Sequence, residues 1–162
     1  MPEGVLKDLS TGRRDRKANR VIREPDSWKV GSEGELLERI RSFSDASYQR
    51  VLWLDTANHN VIFGIGYDHS FVSCSDRRDH ENVHFPPLKP PPKPDDEWSD
   101  IRIEFALWGD DLAVYWQEEL MPLAQALEIV LWVFRHDALP EINERGEIQP
   151  RSSPEYHDDI PF

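Results

Sequence analysis

The residues most suggestive of chemistry are His80, Glu81 and His84, which spell H-E-N-V-H. On a helix, that spacing turns both imidazoles toward one zinc ion and leaves the glutamate to activate the bound water. The flanking sequence disfavours a helix. Asp76, Arg77, Arg78 and Asp79 precede the motif without an apolar stripe, and Phe85, Pro86 and Pro87 follow at once. Proline pushes the residue before it out of helical geometry. Asp95, Asp96 and Glu97 have no scaffold that would make one of them a third ligand. A zinc-dependent hydrolase using His80, Glu81 and His84 is therefore the alternative reading, and no cofactor is expected.

Other catalytic patterns are weaker still. The chain has no P-loop, no G-x-G-x-x-G and no G-x-S-x-G. The carboxylates at Asp95 to Glu97, Asp110 to Asp111 and Glu118 to Glu119 lie at turns and strand ends, where exposed charge is the default. Cys74, the single cysteine, stands between serines in a predicted strand and reads as a buried, inert thiol. It excludes an internal disulfide and fits a reducing compartment. Met1 to Ser10 lacks the apolar run of a signal peptide, so the expected location is the cytoplasm.

The elements that must position any site follow from periodicity. Leu36, Leu37, Ile40 and Phe43 recur at helical spacing over Glu33 to Phe43, with Ser32 and Glu35 spaced as a capping box. From Tyr48 to Ser75 the period falls to two. Strands are predicted at Arg50 to Ala57, Val61 to Tyr67 and Phe71 to Ser75, with Asn58, His59 and Asn60 as a turn. Val61, Phe63, Ile65 and Tyr67 share one face, while Gly64 and Gly66 leave room for something to approach the other. Residues 76–99 read as a proline-rich loop, and a docking site for a proline-reading module is conceivable there. Ile101 to Leu107 and Leu112 to Trp116 form a hairpin through Gly109, Asp110 and Asp111. Pro122 to His136 is the clearest helix, with Leu123, Leu127, Val130 and Phe134 on the core side. Trp132 falls among that helix's polar residues. It either covers the edge of the sheet or stands out as an exposed aromatic anchor.

The fold these elements imply is α+β: an antiparallel sheet of about five strands with two main helices packed on it. The sheet is expected to bury Leu52, Leu54, Phe63, Ile65, Ile103, Phe105, Val114 and Trp116 to varying degrees. Residues 1–29 read as a polar, basic N-terminal segment, 30–144 as the domain, and 145–162 as a polar tail. With 19 Lys and Arg against 31 Asp and Glu, the formal charge is −12. Such a surface repels nucleic acid and anionic membrane, and it speeds encounter with basic proteins.

The run from Leu112 to Ile142 resembles the C-terminal half of the first-numbered family of immunity proteins from bacterial polymorphic toxin systems. In that family a strand leads to a proline-marked helix start, an alanine-leucine helix, a phenylalanine near its end and a P-x-[VI] exit. Pro122, Ala126, Leu127, Phe134, Pro140 and Ile142 stand at those places. Asn143 and Glu144 stand where the family often closes with a tryptophan. The resemblance implies a protein without catalysis that binds a cognate toxin domain, often a nucleic-acid deaminase or nuclease, and occludes its active site. The expected partner is a basic toxin domain in a one-to-one complex. The residues expected to meet it are Asp95, Asp96, Glu97, Trp98, Asp110, Asp111, Glu118, Glu119 and Trp132.

Overall fold

The computed structural model describes residues 2–44, 49–86, 101–109 and 111–152. In chain order the strands are β1 (Gly4–Asp8), β2 (Arg13–Asp15), β3 (Arg20–Arg23), β4 (Asp26–Val30), β5 (Arg50–Asp55), β6 (His59–Ile65), β7 (His69–Ser70), β8 (Val72–Asp76) and β9 (Asn82–Phe85). They continue as β10 (Arg102–Leu107), β11 (Asp111–Trp116), β12 (Met121–Pro122), β13 (Pro140–Ile142) and β14 (Ile148–Pro150). The helices are α1 (Glu33–Ser44) and α2 (Leu123–His136). The fold is α+β, as expected, but the main sheet holds eight strands rather than about five. Its ladders are antiparallel except where β10 meets β5 at Ala106 and Arg50.

Both helices start where the sequence marks them. Ser32 Oγ accepts the Glu35 backbone N–H at 3.1 Å, and the Glu35 carboxylate reaches back to the Gly31 N–H at 3.1 Å. That is a capping box whose return bond lands one residue early. Pro122 is the N-cap of α2, where its missing donor costs nothing. The helices pack on one sheet face. Leu36, Ile40, Ala126, Ile129, Val130 and Val133 meet Leu52, Leu54, Val61, Phe63, Val72 and Cys74 there. Burial pushes the Cys74 thiol up to about 12, so it stays protonated.

The buried stripe of α2 runs through Ala126, Ile129, Val130 and Val133, not through Leu123 and Leu127, which are only partly buried. The helix is apolar almost all round, so periodicity alone cannot fix its rotation. Trp132 is the consequence. It is 8% exposed and its ring lies 4.4 Å from that of His136. It belongs to the core and is not a projecting anchor.

Three segments read as irregular carry strands. β1 lies inside the sheet between β4 and β5, with Leu6 fully buried, so residues 1–29 are part of the domain. The sequence hides it because its inward residues are Leu6 and Asp8, and a carboxylate at a core position breaks the apolar alternation. β9 pairs with β8 inside the supposed proline-rich loop, and the tail supplies β14, which pairs with β13. Pro87, Pro90, Pro91, Pro92 and Pro94 lie outside the described residues.

The opposite sheet face holds a second core of Leu9, Val51, Phe71, Ile103, Phe105 and Leu120. The close approach that Gly64 invites is made by Phe105: a Cβ on Gly64 would fall 2.5 Å from the Phe105 ring. Gly64→Ala should therefore destabilise the fold by about 1–3 kcal/mol through overpacking. Chemical denaturation that found no loss would contradict this contact.

Candidate functional site

The length of the β10–β11 turn decides which side chains face solvent. Leu107 pairs with Asp111, so three residues make the loop, and Trp108 and Gly109 take positive φ of 45° and 75°. A three-residue loop sets odd-numbered residues opposite odd ones: Phe105 meets Ala113 and Ile103 meets Tyr115. Ala113 and Tyr115 thus join the second core, and the Tyr115 ring stacks on Phe71 at 4.5 Å. Leu112 and Val114 are turned outward, 52% and 47% exposed, and Trp116 is half-buried. The expected burial of Val114 is corrected by this parity, since a one-residue change in register exchanges the faces of a strand, while Trp116 keeps partial burial.

The outer face of this hairpin is an apolar patch with charges among and around it. Trp116 lies opposite Arg102, whose guanidinium sits 4.6 Å from the indole centroid. Val114 lies opposite Glu104, and Leu112 opposite Ala106. Among the described residues β11 is an edge strand, with no further strand paired to its outer side. Asp111 opens the strand, while Glu118 and Glu119 follow its end, about 17 Å away along an extended chain.

Of the residues expected to meet a partner, Asp111, Glu118 and Glu119 therefore bracket one strand. Asp111 and Glu119 show how such residues are also engaged within the fold. Asp111 is ion-paired with Arg16. Glu119 accepts the Trp116 backbone N–H at 2.8 Å and closes the short 3-10 turn Gln117–Glu119. Asp95, Asp96, Glu97, Trp98 and Asp110 lie outside the described residues. Leu112, Val114, Trp116, Arg102 and Glu104 were not foreseen as a surface, although the turn length was the signal that could have found them.

The H-E-N-V-H residues do not converge. His80 sits in a turn at φ 60°, Glu81 is ion-paired with Arg151, and His84 lies in β9 opposite Ser73. The helix that a zinc peptidase needs is replaced by a turn and a strand. Among the described residues no group of three His, Cys, Asp or Glu side chains is arranged to hold a metal ion.

A second polar cluster does converge, and nothing in the spacing of its residues announces it. His59, expected in a turn, opens β6 and is 3% exposed. Its Nδ1 lies 2.9 Å from Asp137 Oδ1 and its Nε2 lies 3.4 Å from Asp76 Oδ2. Asp137 caps α2 in the left-handed conformation and also accepts from Thr56 Oγ1, the Asn58 backbone N–H and the Asn58 side chain. Asp76 ends β8 and is clasped by Arg78. The cluster borders a cavity of about 280 Å³. Both ring nitrogens of His59 face carboxylates of the fold itself, and the ring is buried away from the cavity mouth's solvent. What the cluster does is tie the end of α2 to two strands.

Compared with protein-family models, with curated proteins and with solved structures, the chain matches none. No helix among the described residues is long and apolar enough to cross a membrane.

The cluster sets an acid limit. Partial burial raises the Asp137 carboxyl, but hydrogen bonds from Thr56, His59 and Asn58 outweigh this and hold it near 2, below its ordinary 3.8. Hydrogen bonds from Arg78 hold Asp76 lower still. A carboxylate held low in the fold stabilises it fully above its unfolded value and loses that contribution as the pH drops through the folded value. Stability should thus fall between about pH 4 and pH 2, and Asp137→Asn should flatten that part of the profile. His59→Ala should cost about 1–3 kcal/mol by removing a buried ring hydrogen-bonded to Asp137. Thermal melts of both variants across pH 2–7 would check this, and an unchanged acid slope in Asp137→Asn would contradict it.

Proposed function

We propose that this chain is an immunity protein that binds a cognate basic toxin domain, one to one, and blocks its active site. The toxin would be a nucleic-acid deaminase or a nuclease, and the complex would form in the cytoplasm. The observation that carries the reading is the hairpin's outer face: an exposed apolar strip on an edge strand, set in an acidic chain. Apolar contact supplies affinity at such a surface, and the acidic charge speeds encounter with a basic groove.

The order of elements supports it as well. β11 leads to Pro122 at the N-cap of α2. Ala126 is fully buried in that helix and Phe134 nearly so, and Pro140 and Ile142 bound β13. That is the sequence of strand, proline, helix and exit on which the family resemblance rests. Occlusion requires no chemistry from the inhibitor, and the hairpin asks for none.

The test is direct. The chain should form a stoichiometric complex with the toxin domain encoded beside it and abolish that domain's activity. Val114→Asp should weaken the complex at least tenfold with little change in Tm, because the side chain is exposed. Glu104→Lys should slow association about tenfold at low salt and flatten its salt dependence. Failure to bind the neighbouring domain in calorimetry would overturn the proposal.

A further inference from the structure

Charge on this chain is segregated. The β2–β3 arm, residues 13–23, carries six basic residues and one aspartate, a charge of +5, which leaves −17 on the remainder of a chain whose total is −12. All of β3 is exposed, as are Arg13 and Arg14 in β2. The arm also exposes Val21 at 43% and Ile22 at 62%.

Between this arm and the start of β11 runs a groove of about 680 Å³. Arg14, Arg16 and Lys17 line it together with the apolar Ile22 and Leu112. Its two carboxylates are already engaged. Asp15 accepts the backbone N–H groups of Lys17 and Ala18 at 3.0 and 3.2 Å, and Asp111 holds Arg16. Arg14 lies over the Trp108 ring, 5.4 Å from its centroid. A guanidinium stacked on a ring keeps its in-plane donors for an anion.

We propose that this groove takes an extended acidic segment of another protein, in which carboxylates are interspersed with apolar side chains, laid along the open edge of β11. The basic lining selects the carboxylates, and Ile22 and Leu112 reward the apolar residues. A nucleic acid fits less well. Phosphates gain nothing from Val21, Ile22 or Leu112. A duplex carries about one charge per 1.7 Å, so it would run past the arm over the acidic body. A segment with two or three carboxylates ends where the arm ends. The assignment does not depend on the toxin reading, although Leu112 and the edge of β11 belong to both surfaces and can serve one partner at a time.

The test uses the full chain and fluorescence anisotropy with three labelled probes at 50 mM salt, roughly a 14 Å screening length. These are a ten-residue peptide alternating Glu and Val, its Lys and Val counterpart, and a DNA duplex. The Glu peptide should bind at least tenfold more tightly than either other probe. The Arg14→Ala, Lys17→Ala double variant should weaken it at least fivefold, and Ile22→Ser should weaken it with the charge unchanged. Circular dichroism should show both variants folded, since the arm contributes little to either core. Equal or tighter binding of DNA, Glu-peptide binding indifferent to these variants, or no binding of that peptide would each overturn the proposal. So would self-association abolished by the same variants, which would give the groove to a second copy.

Discussion

One edge of β5 is shared by two strands, and the rest of the architecture depends on how that edge is divided. β1 pairs with Leu52 to Asp55, while β10 meets only Arg50. At the division Arg50 Nη1 reaches Asp8 Oδ2 at 2.7 Å, with both residues buried, and its guanidinium lies 5.1 Å from the Phe43 ring centroid. A buried ion pair adds little net stability over a well-packed apolar pair, but losing one partner strands a charge and costs about 3–5 kcal/mol. The pair therefore fixes where the β5 edge passes from β1 to β10 more than it tightens the core. Because β10 pairs with β5 only through Ala106, near its own C-terminal end, most of the β10–β11 hairpin lies clear of β5. It closes over the second face through Phe105 and Tyr115 and turns Leu112, Val114 and Trp116 outward.

The same division keeps scaffold and surface apart. The helices cover one face and depend on Ala126, Ile129, Val130 and Val133. The hairpin covers the other and depends on Phe105 lying against Gly64. Neither packing uses the outer face of the hairpin. Substitutions there leave both cores untouched, so if the face binds a partner as proposed, it can change without cost to the fold.

How far the sequence discloses this varies with the physics of each element. The amphipathic helix α1, strands β5, β6 and β8, and the proline-marked start of α2 follow from period and caps, because each has one apolar face and a clear stop. β1 does not, since Asp8 occupies an inward position and is matched by a residue 42 positions away. β9 does not, since its strand follows a turn at His80 that no glycine announces. The outward set of β11 turns on whether the loop holds two residues or three, and Gly109 with two aspartates fits either. The cluster around His59 is the least legible. Its members come from the start of one strand, the end of another and a helix cap, and only the packing of α2 brings them together.

Those matched groups also bear on where the acidity can act. The carboxylates that hold the frame are engaged: Asp8 by Arg50, Asp55 by Lys7 at 3.1 Å, Asp76 by Arg78 and Glu33 by Arg135. Each such pair consumes one negative and one positive charge and leaves the total unchanged. With the arm drawing off five positive charges, the remainder of the chain carries a net charge of −17. Like charges crowded on a small body repel one another and lower stability. A surface that keeps them is under pressure from its own folding energy to lose them, unless the crowding serves an encounter. On the proposed reading that encounter takes place at the hairpin face, where Glu104 stands beside Val114 on an apolar patch.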